Sequence, residues 1–478
     1  GSFNKLKAEP EASYHYCIQG PFRFISRSGE YGYTKSPCED DFNAAYYNAI
    51  MWNITKDRRH ADKAMEIIRN YAATLEKIFP MDAPLCAGLQ GFILVNAAEI
   101  MRYTYVEEHN ENGWTYKDTE QTEDMFRNVF LPILSEFYKT KPYTNGNWGI
   151  AVTKAQIGIS VFLNDTKLYD DALDFFYHGK DNGTLPNYVA ETGQIQESGR
   201  DQAHCMLGIG CLAEIAEVAW NQGDDLYGAL DNRIMKGCEY LSKSNLGYDV
   251  PFHVWKDLTG KYSNWQSLGQ ASMGEFRAVL PYNHYVERKK MEMPYTKMVL
   301  NRIRPEGAGF TCDNPGFGTL LFYLGKDEER ERKGRINENL KENLFGWHFA
   351  AASLKLKGDK MMLMSSGISC KKKGIMYDAG SYPYIAIKIS HLPKNHNKNW
   401  FALSYNVMSA PEFWVFGESD AQIMDGNIYV FSIHGAKSNN GTEFSKRLTN
   451  VTLLMDFGET GGEGVDVEWI RSVADLEF

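Results

Sequence analysis

Asp57-Arg58-Arg59-His60-Ala61-Asp62-Lys63-Ala64-Met65-Glu66-Ile67-Ile68-Arg69-Asn70-Tyr71-Ala72 sets Ala61, Ala64, Met65, Ile68 and Tyr71/Ala72 at i, i+3, i+4, i+7 spacing. That period marks one apolar face of a helix. Similar stripes recur downstream, over 92–103, 120–137, 148–163, 167–177, 200–220 and 226–241. Phe79-Pro80, Lys141-Pro142, Asn145-Gly146, Asn182-Gly183 and Gly223 break them apart. Successive helices with no strand period between them predict helix pairs stacked around an axis. The expected fold is a mostly α N-terminal α/α toroid, or incomplete α/α barrel, over residues 1–345. No fixed-period repeat is visible, which speaks against a tetratricopeptide or ankyrin array.

Beyond about Gly346 the pattern changes. The stretches 384–389, 413–416, 427–433 and 451–457 are short β-branched or aromatic runs bounded by Gly, Asn and Asp. They predict a C-terminal antiparallel β-sandwich over 346–478. The stretch 326–341, dense in charge of both signs, reads as the linker.

The 478 residues have ample length for such a pair of domains, and 43% hydrophobic with 23% charged residues is globular composition. The net charge of −10 argues against a nucleic-acid partner, because neutralising phosphates requires a basic face. An anionic substrate stays compatible if a local groove carries donors. Aromatic residues make up 13% of the chain; most are expected to fill a core, and their flat faces also suit sugar rings. No run approaches ~18 consecutive apolar residues, so no membrane span is expected. The eight cysteines form no CxxC pair, which disfavours a structural zinc site; mostly buried thiols are expected, with room for one or two disulfides. Walker A, GxSxG, HExxH, GxGxxG and EF-hand patterns are missing from the sequence.

Three clusters carry chemistry. In Gly193-Gln194-Ile195-Gln196-Glu197-Ser198-Gly199-Arg200-Asp201-Gln202-Ala203-His204, Arg200 and His204 are four apart and share a helix face, with Glu197 one turn earlier. Acid, guanidinium and imidazole then meet on one wall; the plainer reading is an ion pair at a helix start beside a packed histidine. Asn147-Trp148-Gly149 opens another helix, where Asn147 is either an N-cap or a donor to a carboxylate. Pro281-Tyr282-Asn283-His284-Tyr285 gathers proton carriers in a few residues, against which stands a core role for the tyrosines. His253, Tyr262, Arg302 and Arg304 lie in neighbouring segments. Asp40-Asp41 is either an acid pair or an acidic helix start.

The run 194–204, with Ala219-Trp220-Asn221-Gln222-Gly223-Asp224-Asp225-Leu226-Tyr227, Gly247-Tyr248-Asp249-Val250-Pro251-Phe252, Tyr282-Asn283-His284-Tyr285, Arg304-Pro305-Glu306-Gly307 and Gly316-Phe317-Gly318-Thr319-Leu320, resembles the alginate lyase superfamily over roughly residues 20–325. Within it the chain looks like the mannuronan and glucuronan lyase branch related to polysaccharide lyase family 38. The resemblance implies β-elimination on a uronic-acid polymer: the C6 carboxylate is neutralised, a base removes the C5 proton and an acid protonates O4. Carried over, Asn147 takes the neutraliser's place and His204 lies on the helix that bears catalytic His or Tyr. The sequence departs from the better-known pattern at Trp148, where a His is expected, and at Cys205, where a Tyr is. Tyr285 or Tyr282 is then the expected catalytic tyrosine, with Tyr262 and Tyr248 behind them. Glu197, Arg200, Trp148, His253, Tyr262, Asn283, His284 and Arg302 are expected to bind substrate, with Arg277 and Arg304 adding to the cationic field.

The sequence thus predicts a polysaccharide lyase acting on an anionic polysaccharide, with no cofactor and no metal. Its expected location is secreted or periplasmic, a signal peptide having been removed ahead of Gly1. A glycoside hydrolase on the same toroid, with Glu197/Asp201 or Asp40/Asp41 as its acids, and a glycan-binding protein without turnover are the rival readings.

Overall fold

The computed structural model describes residues 1–27, 31–80, 82–270, 279–309, 313, 315–324, 336–340, 347–350, 353–357, 360–364, 368–407, 410–425, 427–444 and 447–476. They divide into two compact units, one of residues 1–245 and 250–325, the other of 246–249 and 326–478.

The first unit is the α/α toroid. Its main helices are α1 (Lys35–Thr55), α2 (Arg58–Thr74), α3 (Ala83–Thr104), α4 (Tyr116–Met125), α5 (Leu131–Lys139), α6 (Gly146–Phe162), α7 (Thr166–His178), α8 (Gln202–Gln222) and α9 (Ala229–Asn245). Two kinds alternate. α2, α5 and α7 bury one face, as the Ala61/Ala64/Met65/Ile68 stripe requires. α1, α3, α6 and α8 are buried nearly all round and form the inner layer, each packing on the next.

The inner helices run parallel. Gly88, near the start of α3, lies against Ala151, near the start of α6, while Arg102 at the end of α3 donates to the Phe162 carbonyl at the end of α6 at 2.8 Å. Between α1 and α3 the Gln90 amide reaches the Lys35 carbonyl at 3.4 Å at one end, and the Trp52 indole reaches that of Thr104 at 3.2 Å at the other. Lys154 of α6 and Glu214 of α8 form a buried ion pair at 2.9 Å. Parallel inner helices gather their N-termini, with unpaired N–H groups and positive partial charge, at one end of the toroid.

α3 and α8 are each long and apolar enough to cross a membrane, yet in the most apolar stretch of each 72% and 78% of residues are buried inside the protein. An inner toroid helix needs apolar residues on every side, so the composition follows from its position.

The second unit is the β-sandwich. In chain order its strands are β1 (Asn337–Asn339), β2 (Trp347–Ala350), β3 (Ile368–Asp378), β4 (Tyr384–His391), β5 (Phe401–Val407), β6 (Ala410–Phe416), β7 (Ala421–Met424), β8 (Ile428–Ser432), β9 (Arg447–Gly458) and β10 (Asp466–Val473). They form antiparallel sheets of order β6-β5-β9-β3-β2 and β7-β8-β4-β10-β1. A separate hairpin pairs Ser353–Lys357 with Lys360–Met364. Ile385, Ile387 and Ile389 alternate inward from one sheet, and Leu403, Leu453 and Met455 face them from the other around Trp400 and Phe431.

Among the described residues no disulfide is present: Cys17 is exposed and Cys38, Cys86, Cys205, Cys211, Cys238 and Cys370 are buried thiols. Cys312, like much of the 326–341 linker, lies outside the described residues.

Candidate active site

Where α6 and α8 begin, the segment before α8 caps α6. The Gly146 N–H donates to Gln196 Oε1 at 3.0 Å and the Asn147 N–H to Glu197 Oε2 at 3.3 Å. Two N–H groups without helical partners are thus satisfied by side chains fifty residues downstream.

Glu197 is the hub. Its buried carboxylate also accepts from Asn147 Nδ2 at 3.2 Å, from the Tyr188 hydroxyl at 3.1 Å and from Arg200 Nη1 at 3.1 Å. Burial pushes its carboxyl above the ordinary range, and Arg200, His204 and Tyr188 only partly offset that. Asn147 is 2% exposed, and its Oδ1 has no hydrogen-bond partner. A buried amide oxygen left unpaired costs about 1–3 kcal/mol, so Asn147 is poised for a further contact.

His204 stands beside this group with its side chain 36% exposed. Asp201, the N-cap of α8, accepts from the His204 backbone N–H at 2.9 Å, and its carboxylate meets Nδ1 at 2.7 Å. Burial alone would raise the Asp201 carboxyl; the two hydrogen bonds from His204, together with the charges nearby, Arg200 among them, hold the group below the ordinary carboxylate range. The carboxylate selects the tautomer with the proton on Nδ1, which leaves the Nε2 lone pair available. Orientation of His204 therefore comes from Asp201. The missed signal was local: an Asp N-cap three residues before a His repeats the spacing of a capping box.

One long loop crosses the same end of the toroid. Asp257 pins it, accepting from Asn182 Nδ2 at 3.2 Å, from the Tyr262 N–H at 3.0 Å, from the Ser263 hydroxyl at 2.8 Å and from Thr259. Lys261 Nζ reaches the Tyr143 carbonyl at 3.4 Å, three residues before α6. At the far side of the loop Trp265 lies so close to Gly199 that a Cβ there would stand 2.3 Å from its own, and the Gly269 N–H donates to the Ser198 carbonyl at 2.8 Å. The loop so runs from the start of α6 to the Glu197–Arg200 turn. Midway along it the half-buried Tyr262 and Trp265 rings stack at 6.1 Å and 21°. Trp148, half-buried, meets the Tyr143 ring edge-on at 6.3 Å.

The other expected residues lie elsewhere. His284 and Tyr285 pack at the far end of α8: the His284 ring stacks on Tyr227 at 4.1 Å and meets Trp220 edge-on at 4.7 Å. Tyr285 is buried, its hydroxyl donating to the Tyr227 carbonyl at 2.6 Å. At ~1.5 Å per residue, the sixteen residues from His204 to Trp220 span about 24 Å. The structure does not bring Tyr285 or His284 together with His204. Tyr282 is buried on the short helix Val279–Tyr282. The Asn283 amide binds the backbone of Phe322 and Leu324. Arg302 lies on the helix Pro294–Ile303, which packs on α9, and Arg304 covers the Tyr323 ring. His253 is exposed, its backbone clamped by the Gln194 amide at 2.7 and 2.8 Å. Tyr248 clusters with the sheet unit, and Arg277 lies outside the described residues. Asp41 is a buried anchor that accepts from Tyr16, Tyr71 and the backbone of Gln19 and Gly20.

Among the described residues no group of three or more His, Cys, Asp or Glu is arranged to hold a metal ion.

No curated protein matches the sequence. Among solved structures the chain is similar to alginate lyase A1-III from Sphingomonas species A1, at 14% identity over 67% of this chain and 91% of that one, TM-score 0.49. It is similar to an alginate lyase from Bacteroides ovatus at 13% identity over 56% and 74%, TM-score 0.38, and to heparinase III at 10% over 98% and 84%, TM-score 0.39. The family model described as alginate lyase matches residues 27–247, which hold α1 to α9, Asn147, Glu197, Arg200 and His204. Over that stretch, a little under half of its length, the chain is similar to the alginate lyase family of polysaccharide lyases.

Proposed function

We propose that the chain cleaves a uronic-acid polymer, a polymannuronate or glucuronan, by β-elimination at the end of the toroid where α6 and α8 begin. The observation that carries this reading is the pairing of a buried, protonation-prone carboxyl with an exposed, oriented imidazole: Glu197 beside Asn147 and Arg200, and His204 held by Asp201.

Abstraction at C5 requires the C6 carboxylate to be neutralised, so that negative charge developing next to it is stabilised. Arg200 supplies fixed positive charge. Glu197, raised by burial, can take up a proton and donate it to Asn147 Oδ1 once the amide turns over, which frees Asn147 Nδ2 for the substrate carboxylate. The parallel helix N-termini add partial positive charge at this end, although the chain as a whole carries −10.

His204 Nε2 then serves as the base for the C5 proton, with Nδ1–H fixed by Asp201. In place of Tyr285 or Tyr282, which pack away from His204, we assign the role of the tyrosine to Tyr262, on the loop pinned by Asp257. Its phenol protonates the departing O4, or serves both steps where C5–H and O4 lie on one face of the ring. Trp265 and Trp148 offer flat faces to the sugars. The products are a new reducing end and a C4=C5 double bond.

The test is incubation with polymannuronate, glucuronan and other uronates. An unsaturated, ultraviolet-absorbing product on at least one is expected. Saturated ends would establish hydrolysis, and no product across the panel from folded protein would refute elimination. Action outside the cell, as a secreted or periplasmic protein, follows from such a substrate.

A further inference from the structure

Beside the candidate active site, within the helical unit, lies a cavity of about 510 Å³ that the elimination chemistry does not use. That volume is within the ~300–1,000 Å³ typical of small-molecule sites. Its walls come from 182–194 and from the start of the loop that carries Tyr262. Trp255, half-buried, gives a flat apolar face, flanked by Val254 and Leu258, which are 45% and 51% exposed. Lys256 and His253 stand at the same wall, and among the described residues neither side chain has an ion-pair partner. Glu191, the acid on the rim, points to solvent with its side chain 91% exposed and lies 3.9 Å from Arg233. An apolar ring face with an ammonium and an imidazole beside it matches a sugar whose C–H face is apolar and whose edge bears a carboxylate.

The cavity is tied to the reacting centre through Asn182. That side chain lines the cavity, donates to the Thr144 carbonyl at 2.9 Å just before α6, and bonds Asp257, which pins the Tyr262 loop. We propose that the cavity is a second saccharide site that takes a uronate unit of the bound chain, distal to the bond that is cut. Trp255 stacks on the ring, and Lys256 and His253 bind its carboxylate. The inference rests on the reading of the chain as a uronate lyase and adds to it a dependence on substrate length.

The test uses the full chain with His204→Ala, so that ligands survive, and saturated mannuronate and glucuronate oligosaccharides of increasing length. Trp255→Ala and Lys256→Ala are each expected to weaken binding of the longer oligosaccharides by about three- to tenfold and to leave the disaccharide unchanged. With His204 restored, both variants raise KM on polymer and leave kcat unchanged. Lys256 is exposed, so its variant keeps the test valid if Trp255→Ala misfolds. Weakening that is equal at every length, or none, overturns the inference. Product formed by the parent protein with both variants kinetically silent leaves the lyase reading standing and refutes the second site. Length-dependent binding lost in the variants, with no product from the parent, supports the site and refutes the lyase reading.

Discussion

The two ends of α8 hold the same kinds of side chain and put them to opposite uses. At the start stand Glu197, Arg200, Asp201, His204 and Tyr188; near or past the end stand Glu217, Arg288, Asp225, His284 and Tyr227. At the far end Arg288 makes two contacts with Glu217, at 3.0 and 2.7 Å, and Tyr227 donates to the same carboxylate at 3.0 Å. His284 is 1% exposed, enclosed by two rings, with Nε2 3.5 Å from Asp225. At the start His204 is over a third exposed with one nitrogen fixed and the other open, and an amide oxygen beside it lacks a partner. The inventory of residues does not separate a proposed reacting centre from a structural clamp. What separates them is whether a proton carrier is left with an open valence facing solvent.

The sharpest way to break this comparison is to remove each histidine. His204→Ala is expected to lower kcat by a factor of about 10²–10⁴ with an unchanged melting temperature, whereas His284→Ala lowers the melting temperature and leaves turnover per folded molecule near the parent value. Equal kinetic losses would erase the distinction. Glu217→Ala should destabilise the fold by about 3 kcal/mol in denaturant titration, because it leaves Arg288 half-buried without its acceptor. The tyrosines divide in the same way. Tyr262→Phe should remove most of the turnover, while Tyr285→Phe loses one buried hydrogen bond, about 1 kcal/mol, and keeps its rate. Asp201→Asn keeps a competent N-cap, so stability should hold while kcat falls by about tenfold or more through loss of the tautomer-selecting carboxylate.

The smallest effect is one of pH. Burial pushes His284 from its ordinary 6.5 down to about 4, with Asp225 and Glu217 pulling it up and Lys289 and Arg288 adding to the depression. The unfolded chain takes up this proton below about 6.5 and the folded chain does not, so the stability it contributes is complete above 6.5 and is lost as pH falls toward 4. Melting temperature followed from pH 7 to 4 should therefore fall less steeply in His284→Phe.

The fold was legible because both periods are local. The 57–72 stripe fixes an outer helix by itself, and the alternating 384–389 run fixes a strand. Asn147, Glu197, Arg200 and His204 were legible as a group because each sits at or just before a helix start, where polar side chains in an otherwise apolar helix need a reason. The ranking of the tyrosines was not. Pro281-Tyr282-Asn283-His284-Tyr285 is dense in proton carriers, but its neighbours are set by the far end of α8. Tyr262 sits in a loop with no period at all, and it is positioned by Asp257 and Asn182, contacts that no spacing along the chain encodes.

The capping of α6 by Gln196 and Glu197 also sets an order of events. While the chain is being made, α6 leaves the ribosome about fifty residues before the two side chains that complete its first turn. Until they arrive, Asn147 has no carboxyl to rest against and the first N–H groups of α6 lack these acceptors. A nascent chain stalled within α7 would carry a toroid wall already packed on α3, but neither side chain that caps its first turn. That end of the toroid is therefore closed only when the chain has passed Glu197, later than the packing of α6 on α3 and with the whole of α8 and α9 still to come.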